Sequence, residues 1–273
     1  MALTKVLITV KTYPTISSKY EELVCTAGFR ENGTWIRIYP VQFRKKSYNE
    51  QYKKYDWVEL DLVKNDSDFR PESYRPCSFD SKIKILGHIN TANNWAERKK
   101  IILGKIYRNL PELIAEAHDK NSCTSLAVFK PAEILDFTIE PVEREWNEAK
   151  LAKLEAERLQ GNLFEQPENP FKVVRKLPYR FSYIFKDNQA KQSQLMIEDW
   201  EIGQLYWNCL AKHKGDENKA CEDIRKKYFN DFAKTKDLYL FLGTAQLHHF
   251  VSRNPFMIIG TFHPKRELQG SLF

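Results

Sequence analysis

The sequence predicts an α+β fold: one or more small antiparallel β-barrels with one inserted helix, followed by antiparallel strands packed on a two-helix hairpin. The first 140 residues consist mostly of short apolar segments separated by turns, and several segments alternate with a period of two, as half-buried strands do. Many short strands with a single helix are typical of small barrels. After residue 171, strand-like segments instead flank two amphipathic helical patterns.

Seven short strands are predicted in the N-terminal domain, residues 1–140. In the fourth strand Val58, Leu60 and Leu62 share one face, and acidic residues separate them on the other face. The predicted strands span residues 6–11, 23–27, 34–39, 57–63, 82–89, 125–129 and 134–139.

Two helical patterns accompany these strands. The first covers residues 95–117 and is expected to be kinked or divided at Pro111, since proline cannot donate a backbone hydrogen bond. The second is a highly charged helix over residues 141–160, and an irregular linker follows it. We therefore place the boundary of the N-terminal domain within residues 141–170, and the α+β domain at residues 171–273.

The C-terminal domain combines strands with two helices. The first helix has apolar residues at the spacing of one helical face, beginning at Ile202, and Asp216 is a suitable N-cap for the second helix. The predicted strands span residues 172–186, 193–197, 238–242 and 256–262, and the predicted helices span residues 202–210 and 216–232.

The composition excludes several common enzyme classes. Only 10 of the 273 residues are glycine, and no segment has the spacing of a P-loop or of a dinucleotide-binding fingerprint. A Gly-x-Ser-x-Gly nucleophile elbow is also absent from the sequence. The five cysteines are scattered without a Cys-x-x-Cys pair, so neither a disulfide framework nor a structural zinc site is expected.

The charge distribution favours a polyanionic partner. The net charge is +7, and both ends of the chain are basic whereas the middle is acidic. No apolar run reaches the ~18 residues that a membrane-spanning helix needs, so no membrane association is expected. The isolated cysteines predict a cytoplasmic protein.

The strongest candidate for nucleic-acid binding is a segment in which aromatic residues alternate with lysine and arginine. On the strand over residues 34–39, Trp35, Arg37 and Tyr39 share one face. If the isoleucines between them fill the core, these three side chains form an exposed platform for bases and phosphates. The candidate binding residues of this first cluster are Trp35, Arg37, Tyr39, Arg44, Lys45, Lys46, Lys53 and Lys54. In the alternative interpretation, Trp35 and Tyr39 pack in the core and residues 44–46 form a solvated basic turn.

A second basic-aromatic cluster occurs about 30 residues later, where Phe69 and Tyr74 accompany Arg70 and Arg75. The prolines after both arginines predict a loop, from which Arg70 and Arg75 would extend the same surface. An ordinary structured loop explains the pattern equally well.

An enzymatic alternative is a metal-dependent nuclease or other hydrolase. Glu198, Asp199 and Glu201 occur where a strand meets a helix, and such carboxylates can hold Mg²⁺. His248 and His263 lie near the last two strands and could approach these acids. No metal-ligand spacing supports this site, and stabilisation of a helix start by acidic residues explains the pattern more simply.

Three segments resemble a known family. They are VCTAG at residues 24–28, GTWIR at residues 33–37 and SLAVFKP at residues 125–131. Over residues 1–140 the chain resembles the dual-OB-containing domain family of bacterial proteins. The resemblance implies two small β-barrels in tandem and nucleic-acid binding, often in antiviral defence or mobile-element settings.

Together these observations predict a protein that binds single-stranded or distorted DNA or RNA without a cofactor. The enzymatic alternative would use Mg²⁺. A third alternative is a non-catalytic subunit whose two C-terminal helices dock onto a protein partner.

Overall fold

The computed structural model of the protein describes residues 2–17, 21–78, 80–149, 151–153, 156 and 173–267. It confirms the predicted α+β fold, with a closed β-barrel in the N-terminal part and C-terminal strands that accompany a helix pair. None of the helices within these ranges is long and apolar enough to cross a membrane.

The N-terminal strands are β1 (Ala2–Lys11), β2 (Thr15–Ser17), β3 (Glu21–Phe29), β4 (Trp35–Val41), β5 (Asp56–Lys64), β6 (Ser73–Pro76) and β7 (Lys84–His88). Five of them form barrel 1 in the order β1-β3-β4-β6-β5, and β5 pairs back with β1 to close it. The β4–β6 pair is parallel, and the other neighbours are antiparallel. This is the strand order of the OB fold, a five-stranded Greek-key barrel.

The sequence pattern of the strands explains the interior of barrel 1. Val58, Leu60 and Leu62 are buried together in its core, as the period of two predicts. Gly28 allows β3 to cross close to β1, because a Cβ atom built there would lie 2.0 Å from the Leu7 carbonyl oxygen.

The remaining strands are β8 (Ile106–Tyr107), β9 (Leu126–Phe129), β10 (Glu133–Pro141), β11 (Tyr179–Lys186), β12 (Gln192–Met196), β13 (Tyr239–Thr244) and β14 (Phe256–Phe262). They form the sheets β10-β11-β12 and β14-β13-β9-β8. A parallel bridge from Ile197 to Ile258 joins β12 to β14, and β10 follows β9 after only three residues. Strands β9 to β14 therefore form a second ring, barrel 2. If β9 and β10 are counted as one bent strand, the strand order of barrel 2 is the same as that of barrel 1.

The first helical pattern forms two helices, α1 (Ala92–Ile102) and α2 (Leu110–His118). The prediction of one helix over residues 95–117 is therefore wrong. The chain leaves the helical conformation after α1 and adds β8 to the sheet that contains β9 and β13. Pro111 does not cause this division. It lies in the first turn of α2, where its missing N–H costs no hydrogen bond.

The second helix pair follows the prediction more closely. Helix α3 (Trp200–Lys212) begins at the N-cap Asp199, and α4 (Glu217–Arg225) begins at the N-cap Asp216. A π-helical segment, Lys226–Ala233, continues α4, and β13 begins six residues after its end. The pair is inserted between the third and fourth strands of barrel 2, and its apolar face is buried in that barrel's core.

Strands β9 and β10 belong to barrel 2, since they pair with β13 and β11. The boundary between the two barrels therefore precedes residue 126 and does not coincide with the division predicted within residues 141–170. The charged helix and linker predicted there lie largely outside the described residues.

The two barrels share a large apolar interface. Leu7 and Phe29 on the outer face of barrel 1 belong to one buried cluster with Val128, Phe241 and Ile259 of barrel 2. Each barrel thus covers one outer face of the other, which decides which surfaces remain available for a ligand.

Candidate nucleic-acid interface

The platform predicted on β4 is covered by barrel 2. Trp35 packs against Phe29 and Phe241, with ring centroids 4.0 and 5.7 Å away, and Arg37 is only 4% exposed. The isoleucines on either side of Arg37 do fill the barrel core, so the predicted division of the two strand faces is correct. The prediction that the outer face is exposed is wrong, because that face is the contact surface for barrel 2.

Arg37 connects the two barrels through hydrogen bonds. Its Nη2 atom donates to the backbone oxygen of Ser125 at 3.2 Å and to its Oγ atom at 2.9 Å. The carboxylate of Glu72 lies 3.9 Å from the same nitrogen. A guanidinium held in this way cannot reach a phosphate without losing its buried partners.

The other members of the first cluster are divided between surface and interior. Tyr39 and Arg44 are half-buried, and the half-buried Lys46 donates to the backbone oxygen of Ser81 at 2.9 Å. Lys45 and Lys53 are exposed, whereas Lys54 is buried. The first cluster therefore does not form a continuous basic surface.

Arg70 of the second cluster has a structural role. It is buried against Asp68, with 2.5 Å between Nη2 and Oδ2, and its Nη1 atom donates to the backbone oxygen of Thr244. Burial alone would raise the pKa of Asp68, but hydrogen bonds from Arg70 and Ser73 lower it. The prediction that Arg70 extends from the surface is therefore wrong, whereas Arg75 is exposed.

Phe69, the residue before Arg70, is exposed. Its ring stacks on Phe250 of barrel 2, with centroids 4.8 Å apart and planes 26° apart. Phe69 is 48% exposed and Phe250 is 42% exposed. Two more exposed apolar side chains, Leu247 and Val251, flank Phe250 in sequence. We call these four side chains the paired-loop surface.

The paired-loop surface is formed by equivalent loops of the two barrels. Residues 65–72 join the fourth and fifth strands of barrel 1, and residues 245–255 join the corresponding strands of barrel 2. Gln246 connects the loops by donating to the backbone oxygen of Ser67 at 2.6 Å. In OB folds this loop is one of the elements that bind oligonucleotides.

Cations border the paired-loop surface on the side of barrel 1. The guanidinium of Arg30 lies 4.7 Å from the ring centre of Tyr74, and the ammonium of Lys64 lies 5.2 Å from it. Lys64 also donates to the backbone oxygen of Arg70, 3.2 Å away, which fixes it beside the loop. On the side of barrel 2, Arg253 is exposed in the 245–255 loop.

The candidate catalytic acids are only partly brought together. Asp199 is buried as the N-cap of α3, and Lys54 lies 3.2 Å from Asp199 and 2.7 Å from Glu201. Burial raises the pKa of Asp199 to about 6, although the charge of Lys54 opposes this shift. The arrangement is an ion-pair cluster between the barrels. Lys54 and Asp199 are 145 positions apart in the sequence, so no local pattern predicts their pairing.

The two candidate histidines have different surroundings. His263 is close enough to Glu201 for a charge interaction and stacks on Phe232 at 3.7 Å. Burial lowers the pKa of His263 to about 3, so it is neutral at pH 7. His248 is exposed in the loop that carries Phe250. The remaining candidate acid, Glu198, lines a separate pocket, where burial raises its pKa. Within the described ranges no group of three His, Cys, Asp or Glu residues could hold a metal ion.

The two C-terminal helices do not offer an apolar face to a partner. Ile202 and Tyr206 of α3 pack in the core of barrel 2 with Ala220, Ile224 and Tyr228 of the second helix and its continuation. The apolar stripes that suggested docking are therefore used in folding.

These features define an α+β protein in which a closed N-terminal barrel and a C-terminal ring of strands present an exposed aromatic stack from paired loops. A family model described as Domain of unknown function (DUF8757) matches residues 108–273, more than half of the chain, and the protein belongs to this family. A second model, Domain of unknown function (DUF8758), matches residues 2–104. The junction of the two matches, residues 105–107, follows α1 and contains β8. No curated protein matches the sequence.

Proposed function

We propose that the protein binds single-stranded nucleic acid through the paired-loop surface. The observation that carries this proposal is the stack of Phe69 on Phe250, in which two equivalent loops of two barrels each present an exposed ring. The tandem barrels are also in keeping with the resemblance to the dual-OB-containing domain family, which remains part of the proposal.

Exposed aromatic rings favour unpaired bases as the ligand. Stacking of a base on an aromatic side chain contributes about 1–3 kcal/mol, and it requires a base whose face is free of neighbours. Phe69 and Phe250 stack on each other and both remain exposed, so the free part of this stack provides a surface against which a base of a single strand can pack. Leu247 and Val251 enlarge the apolar area around them.

The loops are held in place before any ligand binds. Within the 65–72 loop Arg70 is paired with Asp68, and Ser73 donates to the same carboxylate. Arg70 also donates to the backbone oxygen of Thr244 across the barrel interface. A surface that is already ordered loses little conformational entropy on binding. The buried arginine of the second cluster thus supports the interface without touching the ligand.

The surrounding cations provide the electrostatic part of the proposal. Arg30 and Lys64 lie beside Tyr74, and Arg75 is exposed on the strand that follows the 65–72 loop. Each phosphate contact to a single strand contributes a slope of about −0.7 to the dependence of log affinity on log salt. We therefore expect binding to weaken steeply as the salt concentration rises.

The experiment is fluorescence anisotropy with labelled 20-nucleotide single strands of DNA and RNA at several salt concentrations. Replacing both rings, Phe69→Ala with Phe250→Ala, should weaken binding by about 10- to 100-fold. Tyr48→Ala is the matched control, since this ring is also exposed but lines a pocket that does not include the paired-loop surface. Wild-type affinity of the double variant, or equal binding of duplex and single strand, would contradict the proposal. Absence of binding at low salt would also contradict it.

A further inference from the structure

A pocket with a volume of about 690 Å³ opens between β1, the segment that joins β4 to β5, and the start of α3. It does not include the paired-loop surface. Its walls are rich in rings, with Phe43, Tyr52 and Trp200 on the inner side and Tyr48, 86% exposed, at the mouth. Volumes of this size are typical of pockets for small organic ligands.

Lys11 places an ammonium group against this pocket. The residue is only 9% exposed, yet its Nζ atom donates a single hydrogen bond within the described part of the chain, to the backbone oxygen of Tyr52 at 3.2 Å. The rings of Phe43 and Trp200 surround the cation at 4.2 and 5.2 Å. An ammonium has three donors, so two of them are left for a group that enters the pocket.

The carboxylates near Lys11 are engaged elsewhere. Asp56, which also lines the pocket, accepts from the backbone N–H of Lys53 and from the His88 ring, both at 2.7 Å. Asp199 and Glu201 are paired with Lys54. Within the residues that the structure describes, Lys11 forms no ion pair. Burial lowers its pKa to about 8, although the negative charges of Glu201, Asp199 and Asp56 partly oppose this shift.

We propose that this pocket binds a small anion that carries a planar ring, of the class of nucleoside monophosphates, with the anionic group on Lys11 and the ring among the aromatic side chains. The anion would satisfy the two remaining donors of the ammonium, and a charge-assisted contact of this kind is stronger than a neutral hydrogen bond. The ring would stack at the mouth on Tyr48, as bases do on exposed aromatic residues. This site is independent of strand binding at the paired loops.

The test is isothermal titration calorimetry of the full chain with adenosine monophosphate, adenosine and inorganic phosphate. Adenosine monophosphate should bind at least 10-fold more tightly than either part alone. Lys11→Met should reduce its affinity to that of adenosine, whereas Lys5→Met on the same strand should leave it unchanged, since Lys5 is exposed and paired with Glu31. Equal affinities for adenosine and its monophosphate, or an unchanged Lys11→Met variant, would overturn the proposal.

A second variant keeps the test decisive if Lys11→Met fails to fold. Tyr48→Ala removes an exposed ring, so the fold should persist while the affinity for adenosine monophosphate falls several-fold. An unchanged affinity would contradict the proposal. Because Tyr48→Ala should leave binding of the 20-nucleotide strand intact, failure of this pocket and failure of the paired-loop interface are distinguishable.

Discussion

The two basic-aromatic clusters of this protein have the same composition but different structural roles. The first, around Trp35 and Arg37, lies on a strand and is covered by barrel 2. The second, around Phe69, lies in a loop, and its ring remains exposed beside Phe250. Alternating rings and cations therefore indicate an interaction surface, but not whether the partner is a ligand or another part of the same chain.

The location of each cluster on its barrel explains the difference. The outer face of β4 is broad and regular, so a second barrel can bury it and gain the free energy of removing apolar area from water. A loop between two strands protrudes from the barrel and is only bordered by the neighbouring loop. Variants of the two clusters should therefore affect different properties.

The largest effect is expected for Arg37→Met at the covered cluster. This change leaves Glu72 and Ser125 without the guanidinium in a buried site, which costs about 3–5 kcal/mol of unfolding free energy. Urea denaturation measures it. Adding Glu72→Gln should restore part of the loss, since it removes the unpaired charge. If Arg37→Met keeps wild-type stability but loses oligonucleotide binding, the first cluster is the binding surface and its structural role is contradicted.

A smaller effect is expected when the pH is lowered, because the largely buried His263 packs against Trp95 and Phe232. Burial lowers its pKa to about 3, whereas the unfolded chain takes up the proton near pH 6.5. Between these values the unfolded state binds more protons, so His263 makes stability fall as the pH falls. From pH 7 to pH 5 this amounts to about 2 kcal/mol.

His263→Gln should flatten the pH dependence of the unfolding free energy in this range. His248→Gln is the matched control, since this histidine is exposed beside the paired loops. An equal slope in wild type and His263→Gln would show that the histidine is not buried in solution.

The cations beside the exposed cluster, Arg30 and Lys64, should affect the salt dependence of binding rather than the free energy of unfolding. Arg30→Gln and Lys64→Gln are each expected to weaken binding of a single strand a few-fold and to reduce the salt slope by about 0.7. The unfolding free energy should change by less than about 1 kcal/mol, since Lys64 is exposed, Arg30 is only half-buried, and surface charges contribute little to stability. Anisotropy titrations from low to high salt give both values, and unchanged slopes would place the strand elsewhere.

The smallest effect is expected at the exposed cations of the first cluster. Lys45→Gln and Lys53→Gln lie away from the paired loops, so each should change affinity by less than about 2-fold. The same anisotropy titrations measure this, and a strong loss would show that the first cluster takes part in binding despite its buried platform.

Local patterns predicted the strands well. The alternation of Val58, Leu60 and Leu62 gave the correct inner face of β5, and the N-caps Asp199 and Asp216 begin real helices. Strand β6 was missed, because its four residues include a proline and its partners lie on β4 and β5. Closure of a barrel depends on such non-local pairing, which a local period does not contain.

The candidate site was harder to predict because its two halves come from distant parts of the chain. Phe69 was identified as part of a basic-aromatic cluster, but nothing near it points to Phe250, 181 residues later. The pairing of Lys54 with Asp199 is similarly remote. Both contacts follow from the docking of the two barrels, which depends on the shapes of whole sheets rather than on a motif.

The most direct test compares Trp35→Ala with Phe69→Ala in one set of measurements, urea unfolding and binding of a labelled 20-nucleotide single strand. Trp35→Ala should lower the unfolding free energy by about 3 kcal/mol and change affinity by less than about 3-fold in the folded protein. Phe69→Ala should weaken binding by about 10-fold and change stability by less than about 1 kcal/mol. The opposite result, in which folded Trp35→Ala loses binding and Phe69→Ala keeps it, would contradict the assignment of the interface to the paired loops.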